Sequence, residues 1–346
     1  MKQNFLNILL ACSCLFGFGL EKVLAVDVTF ITDEFSTKTA VVYAAEQSLG
    51  QVLTEINRAQ MSNDVVNVGH LNMNEFAKRS LARIWAVTPF ICDCDDNEFV
   101  ANRGDWQIFK NGTIMVRHIP LLMKPIGETF GLDDCQEAIA EFDKNGKITD
   151  FRFAIRSQQG LDFDRCGTED VEIEHIIKRQ LEQFRTAYCQ KDAKTIEDMF
   201  SDDALIITGR VIQRRNNNEM FPTQSKVEYT RQTKQQYISN LKKAFARNKW
   251  IDVKFDIPSG NSPCHWIDRT TKKDANGKLL PFYGVRLVQT WKSSNYSDKG
   301  YLFLLWEFPE NGGDPIIHVR TWQPENINGV HREPDDDIST LGGFNL

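Results

Sequence analysis

The chain of 346 residues lacks the short motifs that mark nucleotide-binding proteins and serine hydrolases. It has no Gly-rich dinucleotide fingerprint, no Walker loop and no Ser-centred nucleophile elbow. It has only 6 histidines, and no two of them stand at the His-x-x-x-His spacing of a zinc site. Its net charge of -6 is mild and offers no basic face to nucleic acid. No cofactor, no metal site and no nucleic-acid partner are therefore predicted.

Long apolar runs are also missing, except at the start of the chain. Lys2, an apolar stretch from Phe5 to Leu20 and the small-residue ending "VLA" at Ala25 have the layout of a secretory signal peptide. A lipoprotein signal ending at Cys12 is the alternative, although the apolar stretch before that cysteine is very short. No later segment is apolar enough to predict a membrane span. We therefore expect export to the periplasm or cell envelope, with cleavage near Ala25.

Removal of the first 25 residues leaves six cysteines, and their spacing does not select a disulfide pairing. Cys92 and Cys94 in "CDCDD" point to opposite sides if the chain there is extended. This stretch is predicted to be a solvated turn, with or without a disulfide, rather than a metal site. Cys189, at the apolar side of a helix end, is predicted to be a buried free thiol. The other cysteines are Cys135, Cys166 and Cys264.

The order of patterns along the chain predicts two units of the same kind. Residues 157–170 are rich in Gly, Asp and Gln and are predicted to be a linker. On each side of it, helical patterns come first and strand patterns follow. The predicted fold class is α+β, with two tandem cone-shaped domains at 27–156 and 171–324 and an acidic tail at 325–346. Each cone is predicted to be a curved antiparallel sheet wrapped around a long N-terminal helix.

The second unit carries the clearer patterns. "VEIEHIIKRQLEQFRTAYCQ" has apolar residues at steps of three and four, with Glu182 and Arg185 on the opposite side, which predicts an amphipathic helix with one buried stripe. Asp192 is predicted to cap a short second helix and Thr233 to begin a third. A polar loop is predicted before Thr233. Four strands then follow, "WIDVKFDI", "FYGVRLVQTW", "YLFLLWEF" and "PIIHVRTW".

The first unit repeats this order more loosely. "AVVYAAEQSLGQVLTEINRAQ" predicts a long helix, and "NEFAKRSLARIWAVTPF" predicts a second helix stopped by Pro89. In "EAIAEFDKNGKITDFRFAI" an Asn-Gly pair separates two alternating runs, which predicts a β-hairpin.

Residues 171–324 resemble the nuclear-transport-factor-two-like superfamily, which includes SnoaL-like cyclases and ketosteroid isomerases. The likeness lies in "AYCQKDAKTIEDMFSDDALIITG" and "PIIHVRTWQP", and "AEFDKNGKITDFRF" resembles the same superfamily more weakly in the first unit. The tandem as a whole resembles exported proteins of the Bacteroides group. The resemblance implies a cone-shaped fold, but such a fold hosts enzymes, binding proteins and scaffolds alike.

The isomerases of this superfamily carry Asp-Asp-Ala, two further residues and then Glu-Asp-Pro, of which the second acid is the catalytic base. Asp202 and Asp203 match the first part of this pattern, but the later acid positions fall on Ile207 and Thr208. A threonine hydroxyl is too weak a base to take a proton from carbon. No catalytic residue is therefore predicted, and the two aspartates are interpreted as turn residues ahead of a strand.

The last strand, "IIHVRTW", presents His318, Arg320 and Trp322 at alternating positions, which predicts that they share one face. These side chains together suit an anionic or aromatic ligand. The alternative, which the sequence favours, is that Ile317 and Val319 face the core and the three polar residues lie outside. No carboxylate in this strand is placed to orient His318, so no hydrolase-type His-acid pair is predicted.

The strand around Tyr301 to Phe308 is apolar on both faces. A half-solvated antiparallel strand should alternate with polar residues, so both faces are predicted to be covered. The domain's own helix covers one face. The other half of the chain, a second copy or another protein is expected to cover the other.

Together these patterns predict an exported, non-enzymatic protein that binds a partner protein or a small hydrophobic ligand. The alternatives are an isomerase-type enzyme acting on a small hydrophobic substrate and a purely structural envelope scaffold. The candidate ligand or interface residues are Tyr188, Tyr283, Trp291, Trp306, His318, Arg320 and Trp322.

Overall fold

The computed structural model of the chain describes residues 25–33, 37–123, 135–155, 171–214, 224–256, 267–270, 273, 275–309, 313–327 and 330–331. The predicted signal segment up to residue 24, the predicted linker at 157–170 and most of the tail lie outside these ranges. None of the helices within them combines the length and apolar character that a bilayer crossing requires.

The first half of the chain contains the two predicted helices, α1 (Ala40–Met61) and α2 (Glu75–Val87). Asn74 caps α2 by accepting a hydrogen bond from the backbone N–H of Ala77, and the helix ends just before Pro89. The strands are β1 (Asp27–Phe30), β2 (Phe90–Cys92), β3 (Glu98–Ala101), β4 (Trp106–Ile108), β5 (Ile114–Met123), β6 (Cys135–Phe142) and β7 (Ile148–Phe153).

The strands β2, β5, β6 and β7 lie side by side in that order, with β4 next to β5, and form an antiparallel sheet around α1. The predicted hairpin joins β6 to β7. Gly146 in its turn has φ 77°, and a Cβ there would lie 2.6 Å from Cβ of Ala44 in α1. Glycine therefore permits both the turn and the close approach of helix to hairpin. A separate parallel pair is formed by β1 and β3.

The second half contains α3 (Val171–Cys189), α4 (Ala193–Asp198) and α5 (Lys234–Arg247). Both predicted caps are confirmed, because Asp192 accepts from the N–H of Thr195 and Thr233 accepts from that of Gln236. The strands are β8 (Phe200–Arg214), β9 (Gln224–Gln232), β10 (Ile251–Asp256), β11 (Ile267–Arg269), β12 (Phe282–Ser293), β13 (Ser297–Glu307), β14 (Ile316–Pro324), β15 (Asn326–Ile327) and β16 (Val330–His331).

The second sheet has the order β10-β12-β13-β14-β8-β9, with β11 beside β12. The predicted α+β class, with curved sheets around helices, is confirmed, and one pairing, β14 with β8, is parallel rather than antiparallel. Two details differ from the sequence prediction. Asp202 and Asp203 lie inside β8 rather than in a turn, and β9 occupies part of the predicted polar loop. An exposed strand pairs through its backbone and needs no apolar alternation, so its sequence carries little signal.

Helix α3 is buried on two sides, although its pattern predicts one buried stripe. Phe184 and Tyr188 face the second sheet, whereas Glu182 and Arg185 are only 0% and 1% exposed on the other side. That charged side packs on the first half. Glu182 accepts from Nη2 of Arg117 at 2.5 Å and from Nε of Arg152 at 3.1 Å. Burial alone would raise the pKa of Glu182, but the two arginines outweigh it and hold that pKa below its usual value.

Arg185 joins the two halves through main-chain oxygens. It donates from Nε to the carbonyl of Val253 in β10 at 2.7 Å, and also to the carbonyl of Ala154, which follows β7. The backbone N–H of Phe153 donates to Thr186 Oγ1 at 2.9 Å. The charged face of α3 therefore meets partners from the first half instead of water.

The apolar strand β13 is covered on both faces, as predicted. Leu302, Leu304 and Trp306 join the main core, whereas Phe303 and Leu305 form a small cluster with Val319 on the opposite face. Phe303 and Leu305 are 0% exposed in the single chain. Of the three expected covers, the chain itself therefore suffices for this face, since Phe303, Leu305 and Val319 are buried without a second molecule.

Cys92 and Cys94 form a disulfide. The chain is not extended there, because β2 ends at Cys92 and a short 3-10 helix at Asp95–Asn97 follows, with φ 48° at Asp96. Opposite-facing side chains are therefore not a valid expectation at this position. The predicted buried thiol of Cys189 is confirmed, and burial raises its pKa to about 12.

Candidate functional site

The strand register directs a set of polar and aromatic side chains to the inner face of the second sheet, toward α3 and α5. Trp291 in β12 lies directly opposite Asp298 in β13, and Gln289 lies opposite Gly300. Arg320 and Trp322 in β14 lie opposite Leu304 and Leu302, which belong to the main core. Residues paired in register share a face of the sheet, so these side chains all point inward.

A β-bulge at His318 breaks the alternation that the sequence predicts. The pairing of β14 with β8 shifts register between Ile317 and Val319, so Ile317 and Arg320 face the core while Val319 packs on the outer cluster. The prediction that His318, Arg320 and Trp322 share one face is therefore wrong. So is the favoured expectation that Arg320 and Trp322 lie outside, because a bulge adds one residue and reverses every side chain after it.

Arg320 is 5% exposed. Its Nη2 donates to Oε1 of Gln289 at 3.2 Å, and its guanidinium carbon lies 5.2 Å from the ring centre of Tyr237. Within the part of the chain that the structure describes, its Nε and Nη1 have no hydrogen-bond partner, and neither does Nε1 of the neighbouring Trp322. Among the described residues these three donor atoms lack an acceptor at normal hydrogen-bond geometry, although the hydroxyl of Tyr188 lies close enough to Arg320 to raise its pKa. An unmet buried donor costs roughly 1–3 kcal/mol.

Two tyrosine hydroxyls lie beside this arginine. The hydroxyl of Tyr188 in α3 is 2.5 Å from that of Tyr237 in α5, and the ring of Tyr188 meets Trp291 edge-on at 5.8 Å. Burial, and then Tyr237, raise the pKa of Tyr188 well above its usual value, although Arg320 acts in the opposite direction. Tyr188 is therefore protonated at neutral pH and available as a donor.

Asp298 supplies the carboxylate of this interior. Oδ1 is buried and has no hydrogen-bond partner among the described residues. Burial raises the pKa of Asp298 to about 6, although Tyr296 and Arg320 both lower it. Sequence reasoning missed this residue because it placed "KSSNYSDKG" in a loop. The sequence did contain a signal for it. Asp298, Gly300 and Leu302 are two residues apart, and such residues share one face if they belong to one strand.

Gly300 allows Trp322 to close over this end of the sheet. A Cβ on Gly300 would lie 2.8 Å from two ring carbons of Trp322, which is too close for a real side chain. The indole therefore packs directly on the backbone of β13 between Asp298 and Leu302. This contact fixes the position of the unpaired indole N–H.

Thr208 faces the same interior, directly opposite Trp322 in the register of β8 with β14. Its hydroxyl accepts from Nε2 of Gln232 at 3.0 Å. The two aspartates that resemble the isomerase pattern do not reach this interior. Asp202 is exposed and pairs with Lys234 at 2.9 Å, and Asp203 lies on the outer side with His318, 3.6 Å from its Nδ1.

The remaining candidates lie elsewhere. His318 contacts the ring of Phe282 and bonds through Nε2 to Oε2 of Glu307 at 2.5 Å. The prediction that no acid orients His318 is therefore wrong, because Glu307 comes from the neighbouring strand. Tyr283 and Trp306 face each other at the far end of β12 and β13. The structure thus brings together Tyr188, Trp291, Arg320 and Trp322, and leaves His318, Tyr283 and Trp306 outside this group.

No protein-family model matches the chain, and no curated protein matches it. The chain is similar to the solved structure of Bd1075 from Bdellovibrio bacteriovorus, at 15% identity and a TM-score of 0.30. That match covers 45% of this chain and 42% of Bd1075, so it spans less than half of that protein.

Two further similar structures are NTF2-like proteins of unknown function. The one from Pseudomonas putida is 10% identical over 46% of this chain and 94% of its own, with a TM-score of 0.31. The one from Silicibacter pomeroyi is 11% identical over 45% and 99%, with a TM-score of 0.28. Structural neighbours of the chain are thus NTF2-like proteins, and likenesses this distant assign it no activity.

Proposed function

We propose that the interior of the second sheet binds a small organic acid that carries a ring. The observation that supports this is the set of three buried donors, Nε and Nη1 of Arg320 and Nε1 of Trp322, which have no acceptor among the described residues. Nε and Nη1 lie on different sides of the guanidinium, so each can donate a separate charge-assisted hydrogen bond to an acid group. The rings of Trp291, Trp322 and Tyr188 supply apolar surface beside it.

Binding tests this proposal directly through tryptophan fluorescence. The purified mature chain is titrated with 2-naphthoate and with the neutral 2-naphthalenemethanol. We expect the acid to bind about tenfold more tightly or better, because a bond to a charged group is worth roughly 1.5–3 kcal/mol. Arg320→Met should remove this preference for the acid.

Arg286→Met is the matched control. Arg286 lies on the same sheet but points to its opposite face, directly across from Phe303 of the outer cluster. This variant should bind the acid as the unchanged protein does. Equal affinity for acid and alcohol, or loss of binding in both variants, would contradict the proposal and leave a partner-binding or scaffold role.

A second candidate function is proton transfer on such a ligand, and Asp298 is the observation that favours it. Its pKa of about 6 lies near the range that a general base needs at neutral pH, and the Tyr188–Tyr237 pair supplies a donor. Hydrogen–deuterium exchange at the carbon next to a ligand carbonyl, followed by NMR, tests this role. Exchange that persists in Asp298→Asn would exclude it.

We also propose that the chain is an exported tandem of two such units, with cleavage after Ala25. Val26 is 4% exposed, and its backbone N–H donates to Thr54 Oγ1 at 2.8 Å in α1. Cleavage before Val26 keeps this contact, whereas cleavage further along would remove β1. The mass of the N-terminal peptide from the envelope fraction tests this, and a lipid-modified Cys12 would contradict it.

A further inference from the structure

A polar groove of about 770 Å³ lies between β8, β9 and α5. Its size falls within the range of small-molecule sites. The described residues that line it are polar or positively charged, and the cations among them are Arg210, Arg231 and Lys243. Arg231 lies opposite Ile207 in the strand register, so it leaves the sheet on the face opposite to Thr208, whereas Arg210 is on the same face as Thr208. No acidic residue is among the described lining residues, although Glu228 lies opposite Arg210 in the strand register. Such a groove attracts negatively charged ligands.

The groove adjoins the interior donors described above. Thr208 lines the groove and lies directly opposite Trp322 on the same face of the sheet. Arg210, two residues further along β8, continues on that face. Arg320 and Trp322 are themselves buried and are not part of the lining, so Thr208 marks the place where the interior donors and the groove are adjacent in the sheet.

The residues that line the groove indicate the chemistry of the part of the ligand that would lie in it. Gln232 donates to Thr208 at 3.0 Å, and Asn240 donates to Oε1 of Gln232 at 3.0 Å. Amide and hydroxyl groups both donate and accept hydrogen bonds, which matches a ligand rich in hydroxyls. Among the described lining residues none has an apolar side chain that would anchor a lipid tail or a hydrophobic peptide residue. Tryptophan rings at the inner end suit the apolar face of a sugar ring.

We propose that this groove and the interior donors form one cleft for an acidic oligosaccharide. A sugar carboxylate is held by Arg320 and Trp322, and hydroxyl-rich rings extend along Thr208 and Gln232 toward Arg210 and Lys243. This inference rests on the proposed function, because it uses the same acid-binding end. It adds the class of the ligand and the direction in which the ligand leaves the interior.

Calorimetry with defined probes tests the cleft. The mature chain is titrated with galacturonic acid, its trimer, the neutral galactose trimer and a hexaglutamate peptide. We expect the acidic trimer to bind about tenfold more tightly than its monomer, because each added hydrogen bond to a charged group raises the affinity by about that factor. The neutral trimer and the peptide should bind at least about tenfold more weakly than the acidic trimer.

Variants separate the two ends of the cleft. The double variant Arg210→Gln with Lys243→Gln should bind the trimer no more tightly than the monomer, and its affinity for the monomer should be unchanged. Lys242→Gln is the matched control on the same helix, because Lys242 points to Glu197 at 3.8 Å instead of into the groove. Arg320→Met should weaken both sugars.

The possible results distinguish this inference from the function on which it rests. If 2-naphthoate binds through Arg320 but the trimer gains nothing over the monomer, the oligosaccharide cleft is wrong and the proposed function stands. A gain that survives in the double variant, or a hexaglutamate that binds as tightly as the trimer, also overturns the cleft. Loss of all Arg320-dependent binding overturns both.

Discussion

The two sheets of this protein are built in a similar way around a long helix, but their interiors differ. In the first, Leu49, Leu53 and Ile56 of α1 are 0% exposed and pack on an apolar sheet. Thr88 Oγ1 is the one buried side-chain polar atom without a partner in the first half, as far as the structure describes it. In the second, Arg320, Trp322 and Asp298 all leave buried polar atoms without partners.

This difference shows where a ligand site is to be sought. A buried donor or acceptor without a partner lowers stability, so a fold gains nothing from keeping several of them together. In the first interior the described buried polar side chains other than Thr88 have partners within the protein, as when Glu46 accepts from the backbone N–H of Phe30 and Asn57 from that of Cys92. The second is explained if a ligand supplies the missing acceptor, and similar architecture is therefore no guide to similar function.

The largest expected effect concerns the contact between the two halves. Glu182→Ala leaves Arg117 and Arg152 without their shared carboxylate, and breaking such a buried pair costs roughly 3–5 kcal/mol. Urea unfolding measures this loss. Glu197→Ala, at a surface ion pair with Lys242, is the control and should cost less than about 1 kcal/mol. A loss below about 1 kcal/mol in Glu182→Ala would show that the halves are not joined by this pair.

The pH dependence of the same contact has a definite sign. Because the folded pKa of Glu182 lies below its usual value, its stabilisation is complete above the unfolded pKa and is lost as the pH falls through the folded pKa. The unchanged protein should therefore lose stability below about pH 4, and Glu182→Gln should lose less over that range. Circular dichroism measures this loss in both proteins as the pH is lowered. Equal losses in the unchanged protein and in Glu182→Gln would contradict this assignment.

The next effect contrasts the two interiors. Leu53→Ala in α1 should lower the free energy of unfolding by about 2–5 kcal/mol, because it opens a cavity in a filled core. Arg320→Met should change it by less than about 1 kcal/mol or raise it, because an apolar side chain replaces a charge with unpaired donors. Hydrogen exchange followed by mass spectrometry assigns each change to its sheet. Equal losses in the two variants would remove the distinction between the interiors.

Asp298 should give a smaller effect that depends on pH. Its folded pKa of about 6 is above the unfolded value, so the folded protein holds its proton more tightly. Stability should be complete below about pH 4 and fall by up to roughly 3 kcal/mol as the pH rises through 6. Asp298→Asn should flatten this part of the profile in thermal unfolding. An unchanged slope in the variant would assign the proton to another group.

The smallest effect should be alike in both halves. Asn74 caps α2 and Thr233 caps α5, each by accepting from a backbone N–H three residues ahead. Asn74→Ala and Thr233→Ala should each cost about 1 kcal/mol. Thermal unfolding of the two variants measures this. If one variant lost much more stability than the other, the two halves would differ in their helix ends as well as in their interiors.

Local patterns predicted much of this fold. The helices, both caps of the second half, the hairpin between β6 and β7 and the buried thiol of Cys189 agree with the sequence because each depends on neighbours within a few residues. The sequence also supplied four of the residues that meet in the second interior, namely Tyr188, Trp291, Arg320 and Trp322. It did not group them correctly, since it counted β14 as an unbroken alternation.

The errors share one physical cause, which is contact between distant segments. The bulge at His318 reverses the faces of β14, and it depends on pairing with β8 more than a hundred residues earlier in the chain. Glu307 reaches His318 from another strand, and the charged side of α3 is buried only because the first half supplies Arg117 and Arg152. Asp298 gains its raised pKa from burial that no local pattern records.

The sequence by itself determined the helices and most strands of this protein, because these follow from residue type and short-range periodicity. Tertiary structure alone decided which face each side chain occupies and which polar groups are buried. Burial and strand register are set by segments far apart in the chain. The unpaired donors of Arg320 and Trp322 therefore emerge only when β8, β13 and β14 lie side by side around α3.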